Sequence, residues 1–165
     1  MKRMFSPWRS QYIESFKHEK KKKKGDCLFC RLKKERNDEK NLVLLRKEFC
    51  FVVMNRYPYN SGHLMIVPYT HTSDFEGLSR EEYAEVMETT SEMIAVLGKV
   101  SQPQGFNFGA NIGRVAGAGI DHHVHFHLVP RWNGDTNFMS TIGEVKLISE
   151  DMKQTYRNLR KALMK

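Results

Sequence analysis

The spacing of apolar positions changes along the chain, and each change marks an element. Leu42–Leu45, Phe49–Met54 and His63–Tyr69 are short runs rich in Leu, Val, Ile, Met and Phe, with the length and composition of strands. The last two are separated by Pro58-Tyr59-Asn60-Ser61-Gly62, a turn composition, which predicts adjacent antiparallel strands. From Ser79 through Lys99 the period becomes helical: Tyr83, Val86, Met87, Met93, Ile94 and Leu97 fall on one face. Ser79 is the N-cap, and Glu81 and Glu82 occupy the first turn. Met87 and Met93 are expected to fill the core beneath this helix. Phe106–Ile112 and His122–Pro130 supply two more strands, and Ser149–Met164 a second helix seated by Tyr156, Leu159 and Leu163. Strands, helix, strands, helix predicts an α+β fold with one antiparallel sheet of about five strands and two main helices.

The last predicted strand carries the most informative pattern. In His123-Val124-His125-Phe126-His127-Leu128 each imidazole alternates with an apolar residue, so the three rings share one face and the core takes the other. The outer pair would stand about 13 Å apart at the backbone, too far for one zinc with ligands at about 2 Å to collect all three. A phosphate is a better partner, because an imidazole can donate to its oxygens, accept a proton or attack phosphorus. Imidazole is mostly neutral at pH 7, whereas a lysine amine must first give up a proton at a cost of about 4.6 kcal/mol. His125, in the middle, is the expected nucleophile, with His123 and His127 stabilising charge on the oxygens beside it. A solvated strand face is the plainer explanation for any one histidine; three in register, followed by Pro130 and Arg131, weigh against it.

Two further features carry chemistry. Asn111–Ile120 is rich in small residues, and Gly117 and Gly119 would let backbone N–H groups approach phosphate oxygens, although such stretches are commonly plain turns. Cys27-Leu28-Phe29-Cys30 has the spacing that brings two thiolates to one zinc, but it supplies half of a tetrahedral set. Otherwise these cysteines are small buried hydrophobes, as Cys50 inside its apolar strand is expected to be.

At 165 residues and 19.3 kDa the chain suits one domain with extra segments. Residues 1–25 read as a basic arm and linker, with a short helix at Gln11–Lys17 and Ser6-Pro7-Trp8 as an anchor; 26–165 form the domain and its C-terminal helix. Lys20–Lys24 account for much of the basic excess, since without those five lysines the net charge of +8 falls to +3. Such a run is a solvated linker more often than a nucleic-acid arm, so nucleic acid is not the expected partner; the remaining basic character favours anionic substrates. No apolar run is long enough for a membrane span, and the start lacks the apolar stretch of a signal peptide. With an odd number of cysteines, three, these features predict a cytoplasmic protein.

The histidine run resembles the signature of the histidine triad (HIT) family, His-x-His-x-His followed by apolar residues. Upstream, Phe51-Val52-Val53-Met54-Asn55-Arg56-Tyr57-Pro58 and Gly62-His63-Leu64-Met65-Ile66-Val67-Pro68-Tyr69-Thr70-His71 are similar to two of its strands, so that roughly residues 27–140 are covered. Ser6-Pro7-Trp8-Arg9, Gly105–Gly113 and Pro130–Phe138 resemble the bacterial branch of diadenosine tetraphosphate phosphorylases. The resemblance implies the HIT fold and a homodimer. It also implies nucleotidyl hydrolase or transferase chemistry on diadenosine polyphosphates through a covalent nucleotidyl-histidine, with no organic cofactor. A purine nucleoside phosphoramidate hydrolase, or a nucleotide-binding protein with little turnover, are the alternatives. It assigns Asn55 to the ribose, His63 to the nucleotide pocket and Asn111 to the bridging oxygen of the scissile bond. It adds His71 and His123 to Cys27 and Cys30 as ligands of a structural zinc, a pattern found in some HIT proteins and in galactose-1-phosphate uridylyltransferases. Where much of the family has a Ser or Thr before the first histidine, this chain has Gly119-Ile120-Asp121, leaving backbone amides or His122 as substitutes.

Overall fold

The structure, a computed structural model, describes residues 27–135 and 151–164. The expected arm and its helix at Gln11–Lys17, the division near residue 25, and the start of the last helix at Ser149 lie outside them.

Five strands form one antiparallel sheet: β1 (Val43–Arg46), β2 (Cys50–Met54), β3 (Leu64–Pro68), β4 (Gly105–Gly109) and β5 (Phe126–Arg131), in the order β1-β2-β3-β5-β4. The turn between β2 and β3 closes at Gly62, whose φ of +74° suits glycine and whose missing side chain makes room for Leu97 and Pro130. Alternation along the strands separates two faces. Val52, Met54, Leu64, Ile66, Phe126 and Leu128 point to one core, against α3 (Arg80–Ser101) and α4 (Met152–Leu163). Val43, Phe51, Val53 and Val67 point to the other, where α1 (Leu28–Lys34) inserts Phe29 and Leu32. Phe29 and Phe51 are fully buried, each stabilising the fold by about 1.5–3 kcal/mol relative to exposure.

Helix α3 begins as the sequence predicts. Ser79 Oγ accepts the Glu82 N–H (3.2 Å) and the Glu82 carboxylate accepts the Ser79 N–H (2.8 Å), a complete capping box. Val86, Met93 and Leu97 form the buried stripe. Met87, expected in the core, is instead 56 % exposed, because one residue beyond Val86 the helix has turned by about 100°. Ile94, the neighbour of Met93, is exposed for the same reason. Helix α4 carries Tyr156 and Leu159 inward, and its Tyr156 Oη and Arg160 Nη1 donate to the carbonyls of Val43 (3.1 Å) and Leu44 (2.7 Å). No described helix is long and apolar enough to cross a membrane.

Apolar periodicity gave no sign of α1 or of α2 (Asp38–Asn41), which are shorter than the window that reveals a helical stripe. The second difference concerns the histidines: β5 starts at Phe126, not His122, so His123 and His125 precede the strand and only His127 lies within it.

Candidate active site

On the α1 side of the sheet, β5 and β4 present His127, Val129 and Arg131 beside Gly109, Asn107 and Gly105, their register partners. None of these belongs to the α1 cluster. Above His127, Val129, Arg131, Asn107 and Gly109 lies a cavity of about 570 Å³, large enough for a nucleotide and walled on other sides by Tyr59, Asn60, Asn111 and Gly117.

Hydrogen bonds fix the protons of His127, which lines this cavity, and of His63 and His125, which pack on His127 and are not among the lining residues. His63 Nδ1 accepts the Tyr59 N–H (3.1 Å) and faces the Asn55 amide nitrogen (3.3 Å), so its proton sits on Nε2. That nitrogen donates to His127 Nδ1 at 2.9 Å, which puts the His127 proton on Nε2. His127 Nε2 is buried and has no hydrogen-bond partner among the described residues. A buried donor left unmatched costs about 1–3 kcal/mol, and a phosphate oxygen would recover it. Burial first, then the neighbouring histidines, push His63 down to about 3 and His127 to about 4, so both are neutral at pH 7.

His125 carries the complementary tautomer. Its Nδ1–H donates to the His123 carbonyl (2.9 Å), so Nε2 holds the lone pair. Its ring lies edge-on to His127 (4.9 Å between centroids) and against Phe29 (4.9 Å). The residue is buried. Burial lowers its pKa, against the opposing pull of the His123 carbonyl, which favours a neutral ring at pH 7.

His123 turns the other way. Its Nε2–H donates to the Pro68 carbonyl (3.0 Å), and Nδ1 faces Cys27 Sγ (3.3 Å), Cys30 Sγ (3.7 Å) and His71 Nδ1 (3.2 Å). The flanking role expected of His123 beside the phosphate therefore has no nitrogen to carry it. Val124 N–H is bound to the Thr72 carbonyl (2.7 Å), so this segment precedes the strand ladder, yet the side chains keep their alternation: Val124 joins Phe126 and Leu128 in the core, and His123 and His125 both pack on Phe29. His71 Nδ1 also meets Cys30 Sγ at 3.3 Å, and the four ligand atoms lie within 4.8 Å of one another. In a tetrahedral Cys₂His₂ zinc site, ligand lengths of about 2.3 and 2.05 Å would give separations of about 3.4 Å for N···N and 3.6 Å for S···N. The observed spacings fit that set, and a ring donating its far N–H to a carbonyl is the usual support for a metal-ligating histidine.

The remaining expected residues divide. Asn111 and Gly117 line the cavity, the latter with a φ of +93° that suits glycine. Gly119 is exposed and is not among the lining residues. His63 reaches the cavity only through His127, and Asn55 stands behind it with Oδ1 accepting the Tyr57 N–H (2.9 Å), a turn contact. His122 is exposed and packs on His71, beside the Cys27–Cys30 cluster. Sequence reading missed Asn107, Arg131, Tyr59 and Asn60 as cavity residues. The alternation that picks out His127 also picks out Arg131, four residues on, and was the available signal.

The HIT domain pattern matches residues 36–134. The AP-4-A phosphorylase of Mycobacterium tuberculosis is 46% identical over 123 residues, covering 74% of this chain and 63% of its own length. The chain thus spans less than two thirds of that relative. An adenosine 5'-monophosphoramidase of Schizosaccharomyces pombe is 26% identical over 133 residues, covering 76% of this chain and 95% of its own. Among solved structures, a zinc-bound histidine triad family protein from Mycobacterium smegmatis aligns with a TM-score of 0.67 at 24% identity, over 84% of this chain and 94% of its own, which shows the shared fold. Sequence match and architecture agree, and the chain belongs to the HIT family.

Proposed function

We propose that the protein is a nucleotidyl transferase or hydrolase that cleaves diadenosine polyphosphates through a covalent nucleotidyl-histidine. One observation carries this reading: the bond chain from Tyr59 through His63 leaves His127 with an unmatched N–H beside a His125 ring whose Nε2 holds a lone pair. His125 Nε2 attacks the α-phosphorus of diadenosine tetraphosphate. A nitrogen–phosphorus bond forms, the bond from phosphorus to the bridging oxygen breaks, and ATP leaves with that oxygen. The His127 N–H donates to a non-bridging oxygen as charge builds there. Asn111 and the backbone around Gly117 approach the same phosphate, and Asn55 remains the ribose ligand in this reading. An oxygen of inorganic phosphate then attacks phosphorus, the nitrogen–phosphorus bond breaks, and ADP is released; attack by water gives AMP.

The likeness to AP-4-A phosphorylase favours phosphate as acceptor. The likeness to the monophosphoramidase supports the second reading, in which the leaving group is an amine and the acceptor water. Cys27, Cys30, His71 and His123 would hold a structural zinc, which adds cross-linking to the fold and takes no part in the transfer. The edge position of β4 and the exposed Met87 and Ile94 on α3 support a homodimer, which light scattering on the eluting protein tests directly. Three free cysteines support a reducing compartment, the cytoplasm.

The decisive experiment mixes the protein with diadenosine tetraphosphate radiolabelled at the α-phosphorus and quenches in base, since the nitrogen–phosphorus bond is acid-labile. Label stays on the protein and is absent from His125→Ala, which loses about 10⁴-fold in turnover. Unimpaired turnover by that variant overturns the mechanism. Products with phosphate present, ADP plus ATP, separate phosphorolysis from hydrolysis.

A further inference from the structure

The cavity holds a cation that the chemistry at His125 does not use. Arg131 follows His127 and Val129 on the same face of β5, about 13 Å along the strand from His127. Its guanidinium is held in one orientation. Asp135 accepts from Nε (2.6 Å) and Nη2 (2.8 Å), and Asn107 Oδ1 accepts from Nη1 (2.6 Å). Asp135 is in turn fixed by the Asn60 amide (2.7 Å) and the Trp132 N–H (3.2 Å). No side chain overhangs this stretch of floor from β4 at positions 105 and 109, where glycines stand and an added Cβ would meet nothing within 4 Å.

A carboxylate on one edge of a guanidinium and a neutral amide on another make an asymmetric site. A phosphate oxygen at the Nη1 edge would replace or join a neutral acceptor, and hydrogen bonds between ions are roughly twice as strong as neutral ones. The forked geometry suits a phosphate better than an ammonium would.

We propose that Arg131, oriented by Asp135 and Asn107, is a specificity-determining residue that binds a phosphate group remote from the scissile phosphorus. That phosphate belongs to the distal end of a polyphosphate chain or to inorganic phosphate entering as acceptor. The inference rests on the nucleotidyl-transfer reading above and adds the ligand class for the far end of its cavity.

The test is calorimetric titration of the full chain with tripolyphosphate, with orthophosphate in the presence of AMP, and with AMP alone. Arg131→Gln weakens tripolyphosphate or orthophosphate by about tenfold or more, the scale of a lost charge-assisted bond, while AMP changes by less than about threefold. Arg131→Lys, which keeps charge without the fork, falls between, and it carries the comparison if the Gln variant melts early. Loss confined to tripolyphosphate assigns the distal chain, and loss confined to orthophosphate assigns the acceptor. Equal weakening of all three ligands, or none, makes Arg131 a structural brace and overturns the proposal. Binding needs no chemistry, so turnover by His125→Ala would sink the covalent mechanism while leaving these titrations to decide Arg131 independently.

Discussion

His123 and His127 stand two residues either side of His125, yet they belong to different machines. At the His123 end both ring nitrogens are engaged, one by the Pro68 carbonyl and one by a compact set of two sulfurs and His71. At the His127 end one nitrogen is engaged by His63 and the other is buried beside a cavity without a partner among the described residues. The first arrangement has the composition of a metal-ligand set, and the second leaves an N–H donor beside a cavity. Equal spacing in sequence thus gives unequal roles, because the chain joins the sheet between the two.

Changing Cys30 to Ser tests the metal end and should have the largest effect on the fold. Bound zinc, measured by elemental analysis of protein purified without chelators, drops from about one per chain to near zero, and the melting temperature falls by about 10 °C or more. A protein that loses zinc and melts unchanged breaks the comparison. At the cavity end His127→Gln should do the reverse. Turnover falls about 100-fold through loss of one oxyanion donor, while zinc content stays and melting shifts by only a few degrees.

The pH profile sharpens the contrast. Burial holds His127 at about 4 and lowers His125, so both gain their proton at a lower pH than an ordinary imidazole. The acid limb of kcat/KM is therefore expected below the ordinary histidine value of about 6.5, and a limb at or above it removes the burial argument. Stability follows the same sign: His63, about 3 when folded and 6.5 when not, makes the native state progressively less favoured as pH drops below 6.5, levelling near 3. Urea unfolding across that range reads it. The smallest effect is a control away from both ends: Ser79→Ala removes the cap of α3 and costs about 1 kcal/mol, with zinc and turnover unchanged.

Much of the architecture was legible because it depends on local period. The alternation that buries Phe126 and Leu128, the cap at Ser79 and the turn at Gly62 each rest on residues close in sequence. The Cys27–Cys30 spacing was legible for the same reason, whereas His71 and His123 came from the resemblance. What escaped depends on contacts between distant residues. The strand face alone could not show that Thr72 engages the Val124 N–H ahead of the ladder, or that Pro68 and two cysteines claim the His123 ring. Nor could it show that Tyr59, through His63, sets the proton on His127. Arg131 was in plain view as a fifth alternating position, but its clamp by Asp135 needs the turn at Trp132 to fold back.

The proposed nucleophile, His125, is oriented by a main-chain oxygen, that of His123. No exchange of a side chain can delete that acceptor, so its aim tolerates substitution at position 123 far better than the ring's own contacts do. Anything that tilts this one peptide plane, however, is felt at once by the His125 ring.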